Sequence, residues 1–214
     1  MKDIVFALSL IVLVLGMIRF KKLTMPFQLL VVWLLLNFLL DAQALNRWVV
    51  SIFKNNAPLS HAESIIEYPF YGMVYYYLLK SKRFKKYILI SISLIVVFGI
   101  ANALFFQPFT KVFPTYLIQA TEVLYMLFAI LLYKQMLQHT LPVSILKQSV
   151  FWFNTAMLFF STTMFLNLSL MNYYTVYHPN GFPIILDFWY SIDIIFSFLL
   201  GIAILTDKRE TYNN

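Results

Sequence analysis

Six carboxylates fall within or beside long apolar stretches of this 214-residue chain: Asp41, Glu63, Glu67, Glu122, Asp187 and Asp193. A charged carboxylate facing hydrocarbon costs several kcal/mol, so such groups turn toward a protein interior or a wet cavity. There they can move a proton, hold a cation or grip a small polar ligand. Helical spacing aligns part of the set. Asp193, Ser197 and Gly201 recur at i, i+4 and i+8, forming one narrow polar and small face. Asp187 and Ser191 make a neighbouring stripe, with Tyr190 between the two, and Asn37 stands one turn before Asp41. The candidate ligand pocket is therefore Asn37, Glu67, Glu122, Asp187, Tyr190, Asp193 and Ser197, opening to the outside. For Glu67, Glu122 and Asp193 a functional reading and a plain hydrogen-bonded packing role both stand. Asp41, Glu63 and Asp187 lie close enough to an interface for water alone to hold them. Asn154, Ser161 and Asn167 read first as hydrogen-bonding residues between helices.

The elements that must position these groups are apolar runs. Hydrophobic residues make up 61% of the chain and charged residues 12%, whereas a soluble domain carries about a quarter charged residues. Seven runs stand out: 4–18, 27–45, 65–79, 87–106, 115–133, 149–170 and 184–205. Six have the length and hydrophobicity of spanning helices. The third is short and holds Glu67, Pro69, Gly72 and several tyrosines. Basic residues decide its status. If all seven runs cross, twelve of the sixteen Lys and Arg residues fall on one side, leaving Lys2, Arg47, Lys54 and Lys111 on the other. That split is the positive-inside pattern. The expected fold is all-α: a polytopic membrane helix bundle of seven transmembrane helices in one domain over 1–214, with its N-terminus outside and its C-terminus cytoplasmic.

Arg19, Lys21 and Lys22 directly follow the first run, which has no small-residue cleavage pattern, so it reads as a span and not as a removable leader. Prolines fall near the expected boundaries, with Pro26, Pro69, Pro114 and Pro183 at helix starts and Pro58, Pro108, Pro142 and Pro179 in connections. About 70 residues remain for loops and tails once seven spans of ~20 residues are drawn, so no separate soluble domain is expected.

Several chemistries are excluded. There is no cysteine, hence no disulfide, thiolate metal site or iron–sulfur cluster. The last run has no lysine for a retinal Schiff base, and the three histidines stand outside the apolar runs, unlike those of a membrane di-iron enzyme. No Gly-rich phosphate loop and no Gly-x-Ser-x-Gly turn is present. The net charge of +7 punctuates the runs, which argues against a nucleic-acid partner. A metal held by Glu67, Glu122, Asp193 and His61 is the lesser reading, and no metal or cofactor is expected.

The stretch Leu146–Leu170, with its Phe151-Trp152 pair opening an aromatic-rich helix, resembles a segment of an uncharacterised family of small bacterial seven-helix membrane proteins. The segment His61–Tyr77, with Glu67 early in a tyrosine-rich helix, is similar to the same family. Genes of that family often stand beside those of sensor histidine kinases. The resemblance implies a sensory or regulatory module in the inner (plasma) membrane, working through a membrane or cytoplasmic signalling protein. It supplies no catalytic residues. Two further readings are a small proton- or cation-coupled transporter, and an intramembrane enzyme or structural subunit of a membrane complex. An enzyme is the less favoured.

Overall fold

The computed structural model describes residues 1–40, 42–138, 144–177 and 182–209. Eight α-helices make up nearly all of them: α1 (Lys2–Arg19), α2 (Met25–Leu40), α3 (Gln43–Phe53), α4 (Ala57–Leu78), α5 (Lys82–Ala101), α6 (Thr115–Gln138), α7 (Ser149–Tyr177) and α8 (Phe182–Thr206). Asp41, named above, lies outside the described residues, as do Pro142 and Pro179.

Five helical segments are long and apolar enough to cross a membrane: Asp3–Lys22, Lys82–Phe106, Thr115–Gln138, Ser149–Met171 and Ile184–Thr206. A sixth crossing arises if α2 and α3, bent by 51° relative to one another, act as one broken span. The chain is a multi-pass helical membrane protein.

Three expectations change. The run 27–45 is divided, because α2 ends at Leu40 and α3 begins at Gln43. Sequence accounts for the break: Asp41-Ala-Gln-Ala interrupts the apolar run, and the pattern beyond it is amphipathic. Val49 is buried and Phe53 packs its ring 6.3 Å from Phe109, while Arg47, Trp48 and Ser51 are exposed. Lys54 then closes α3 in the left-handed conformation at φ 63°, a common helix stop.

The third helix begins at Ala57, well before the expected 65. The Asn55 carboxamide oxygen accepts the Ala57 N–H at 2.9 Å, and Pro58 sits in the first turn, where its missing N–H costs little. Pro58 is thus helical, and Pro69 lies inside α4, where it removes one backbone donor. Apolar patterning alone could not find this start, since Ser60, His61 and Glu63 dilute it. The same polar residues keep α4 outside the set of clearly apolar spans.

The cluster Lys82–Lys86, which falls between the expected runs 65–79 and 87–106, forms the first turns of α5. Cations at a helix N-terminus oppose the helix dipole. Their placement therefore does not come from helix stability. Lys85 offsets part of the cost by resting its ammonium 5.0 Å from the Tyr76 ring centre.

The chain gathers into two compact units. One comprises Met1–Phe27 with Glu122–Asn214, the other Gln28–Thr121. In the first, α8 packs against both α7 and α1. Phe160 and Phe196 stack with centres 4.4 Å apart. A Cβ on Gly201 would stand 3.4 Å from Val12 Cγ2, so the small face of α8 serves the contact with α1. In the second unit α4 and α5 pair closely. Gly72 faces Ile92, and Gly99 faces Ile65. The two residue pairs have equal sums, which marks one antiparallel register with a small residue on each helix. Tyr68 donates its hydroxyl to Ser91 Oγ at 2.9 Å in the same interface.

Candidate functional site

The residues expected to form one pocket are divided between the units. Asn37, on α2, and Glu67, on α4, belong to the second; Glu122, Asp187, Tyr190, Asp193 and Ser197 belong to the first. Asn37 carries a buried carboxamide oxygen with no hydrogen-bond partner among the described residues, and Glu67 is half-buried. On α8 Asp187 is exposed, Tyr190 and Asp193 are half-buried, and Ser197 is buried. The Ser191 hydroxyl bonds to the Asp187 backbone carbonyl at 2.9 Å and leaves the carboxylate aside.

Glu122 is the acid most completely withdrawn from solvent among these, at 2% exposure. Its place follows from α6. The apolar positions Tyr125, Phe128, Ala129 and Leu132 are buried on this helix, and Glu122 shares their face. Across from it runs α7, whose buried face carries Asn154, Ser161 and Asn167. Asn154 donates its amide to the Ala129 carbonyl at 2.9 Å. Seven residues back from Ala129 and seven forward from Asn154 lead to Glu122 and Ser161. In an antiparallel pair seven residues are about two turns on each helix, so the same register brings those two together. Ser161 does face the Glu122 carboxyl. The two groups lie close enough to interact, yet neither Glu122 Oε2 nor Ser161 Oγ makes a hydrogen bond of regular geometry among the described residues. Neither amide atom of the buried Asn167 has one either. A second tie between the helices joins the hydroxyls of Tyr133 and Thr155 at 2.6 Å.

The reading of Asn154 as interhelical glue holds. Ser161 and Asn167 are different, because unsatisfied buried polar atoms cost about 1–3 kcal/mol each. Among the described residues no three His, Asp or Glu side chains meet in a way that could hold a metal ion.

Sequence reasoning passed over Asp207. It follows the last apolar run and precedes Lys208 and Arg209, so it reads as tail. In the structure it is fully buried. Its Oδ2 accepts the Thr24 N–H at 2.7 Å, and the Thr24 hydroxyl lies 3.2 Å from Oδ1 and 3.1 Å from Oδ2. Ser149, the first residue of α7, donates to Oδ1 at 3.0 Å. The Arg19 guanidinium donates to the Asp207 backbone carbonyl at 2.9 Å. Burial pushes the Asp207 carboxyl up from its usual range, while the bonds from Thr24 and Ser149 and the Arg19 charge hold part of that rise back. The one available signal was an acid set directly before two bases, Lys208 and Arg209. This cluster joins the start of α2, the start of α7 and the end of α8, and its geometry is that of a structural tie.

In the second unit a polar network surrounds the connection between α5 and α6. Asn102 opens a π-helical turn, Asn102–Phe106, and donates to Gln107 Oε1 at 3.1 Å. Gln107 donates to Thr115 Oγ1 at 2.8 Å and accepts the Tyr116 N–H at 3.1 Å. Asn55 reaches the Thr110 carbonyl at 2.8 Å. His61 Nε2 lies 3.0 Å from the Val112 carbonyl. A carbonyl only accepts, so Nε2 carries the proton, and Nδ1 is buried with no partner among the described residues.

Helix lengths, apolar surfaces and buried polar groups together define a multi-pass α-helical membrane protein with an acid inside one of its spans. No protein-family model, curated protein or solved structure matches this chain.

Proposed function

We propose that this chain is a sensory or regulatory module of a bacterial inner membrane, crossing it seven times and acting through a separate partner protein. The N-terminal side of α1 faces out, and the residues after α8 face the cytoplasm. The observation that carries the reading is Glu122. A bundle that only had to fill lipid would place an apolar residue on that face of α6, because a buried acid without a partner lowers stability. Such a group is retained where its occupancy is used, and two arrangements of the bundle that differ at that group would form a switch.

Topology rests on the division of basic residues, twelve against four, and on α4. Its 22 residues give about 33 Å of helix at 1.5 Å each, enough for the hydrocarbon core. The resemblance of 146–170 and 61–77 to small bacterial seven-helix proteins supports a signalling partner, which the basic turns at Lys82–Lys86 would contact from the cytoplasmic side.

The test is a mild-detergent purification from native membranes with identification of co-purifying proteins, followed by partner-output assays on Glu122→Gln and Asp193→Asn. A stoichiometric signalling partner whose output is lost in Glu122→Gln is expected. A chain that purifies alone, or unchanged output in both variants, would overturn the reading. Glu122 also suits a proton- or cation-coupled transporter, for which Glu122-dependent flux into proteoliposomes is the distinguishing result.

A further inference from the structure

We propose that Glu122 and Ser161 form a binding site for a small monovalent cation, a proton or a sodium ion. The proposal shares the Glu122 site with the sensory reading but does not depend on any partner protein.

The argument begins with charge. An ionised carboxylate inside an apolar span needs a compensating positive charge or a full set of donors. Glu122 has neither among the described residues. Its Oε2 is buried and makes no regular hydrogen bond, and no base among the described residues of this unit acts on it. Helix α7 carries no charged residue between Ser149 and Tyr177. Helix α8 brings only acids, Asp187 and Asp193, and α1 carries charge only at its ends. The nearest base along α6 is Lys134, twelve residues on, which is about 18 Å of helix. The remaining titratable side chains of α6 are the phenols Tyr116, Tyr125 and Tyr133. The neutralising charge must therefore come from solution.

The second observation is independent of the first. Ser161 belongs to another helix, is wholly buried, and sets beside the Glu122 carboxyl a hydroxyl that makes no hydrogen bond of regular geometry among the described residues. Serines and threonines in membrane helices commonly satisfy themselves on the carbonyl one turn back, as Thr155, Thr162 and Ser169 do on this same helix. Ser161 does not. A hydroxyl kept free beside a carboxyl supplies a donor or acceptor to whatever sits between them. A cation of single charge balances the one carboxylate. A divalent ion would leave excess charge in the span and demands six or more oxygen ligands, which one carboxyl and one hydroxyl do not approach. Asn167, whose amide is also buried and unbonded, lies about 9 Å further along α7. It is the next polar group of this face toward the end that the proposed topology sets outside.

The experiment uses the full chain alone in lipid nanodiscs, with radioactive sodium and the proton as probes. In the sodium arm, saturable binding is expected, lost in Glu122→Gln and weakened about tenfold or more in Ser161→Ala, the effect of one hydrogen bond to a charged group. In the proton arm, infrared difference spectra with isotope-labelled glutamate are expected to show a pH-sensitive carboxylic C=O band. That band is absent from Glu122→Gln and shifted in Ser161→Ala. Either arm supports the site and names its occupant. The proposal is overturned if wild type and a folded Glu122→Gln show neither a binding difference nor a band difference. Should Glu122→Gln fail to fold, Ser161→Ala decides: unchanged sodium affinity together with an unchanged band overturns it. Cation binding without any effect on partner output would sink the sensory reading and leave this site standing. Retained, Glu122-dependent output without cation binding would do the reverse.

Discussion

The Asp207 carboxylate accepts the backbone N–H of Thr24 at 2.7 Å across 183 positions of sequence. This single side chain holds the start of α2 to the end of α8, and Ser149 adds the start of α7. Hydrogen bonds to a buried charged group are the strong kind, since each unmade bond leaves charge without compensation.

The first prediction follows directly. Thr24→Ala and Ser149→Ala should each destabilise the protein by about 1.5–3 kcal/mol, with Thr24→Ala keeping its backbone bond and so losing the hydroxyl contribution alone. Thermal or denaturant unfolding in detergent would measure both. Changes within error for both variants would mean that the cluster is not a tie.

A second concerns acid. Because burial raises the Asp207 pKa above that of an ordinary aspartate, the folded state binds this proton more tightly than the unfolded state. Stability from this group is thus greatest below that unfolded value and declines as pH rises through the folded pKa. Asp207→Asn cannot ionise, so its stability should lack this decline. Unfolding midpoints of the two proteins from about pH 3.5 upward would converge toward acid and separate above it.

Two glycines should respond in opposite directions to alanine. A Cβ at Gly99 would lie 2.7 Å from Ile65 Cγ1 and 3.2 Å from Leu117 Cδ2. Overpacking of that kind costs about 1–3 kcal/mol, more than the ~1 kcal/mol that alanine returns in helix propensity. At Gly201 the closest approach is an ordinary 3.4 Å, so the propensity term wins. Gly99→Ala should lower the unfolding temperature, and Gly201→Ala should raise it.

Much of this was legible in the residues. Six of the seven expected runs each coincide with a helix or its main part, because hydropathy and length are local properties that a lipid environment rewards directly. The break after Leu40 was missed because α3 continues with enough apolar residues to look like the same run. The early start of α4 was missed because its cap is an Asn55 side chain folding back on Ala57, which leaves no periodic trace. Glu122 was recognisable as a group inside a span from position alone, since the helix around it is continuous.

The partners were not recognisable. Ser161 looked like interhelical glue, and Asp207 like solvated tail. Sequence by itself determined the class, the helices and the presence of an intramembrane acid, all consequences of composition along short stretches. Only the tertiary structure decided which polar groups meet. Those pairings are between α6 and α7 through the Ala129–Asn154 register, and between α2, α7 and α8 through Asp207. The physical reason is that a helix's periodicity says which face is buried but not which helix covers it. That choice belongs to packing between segments far apart in the chain.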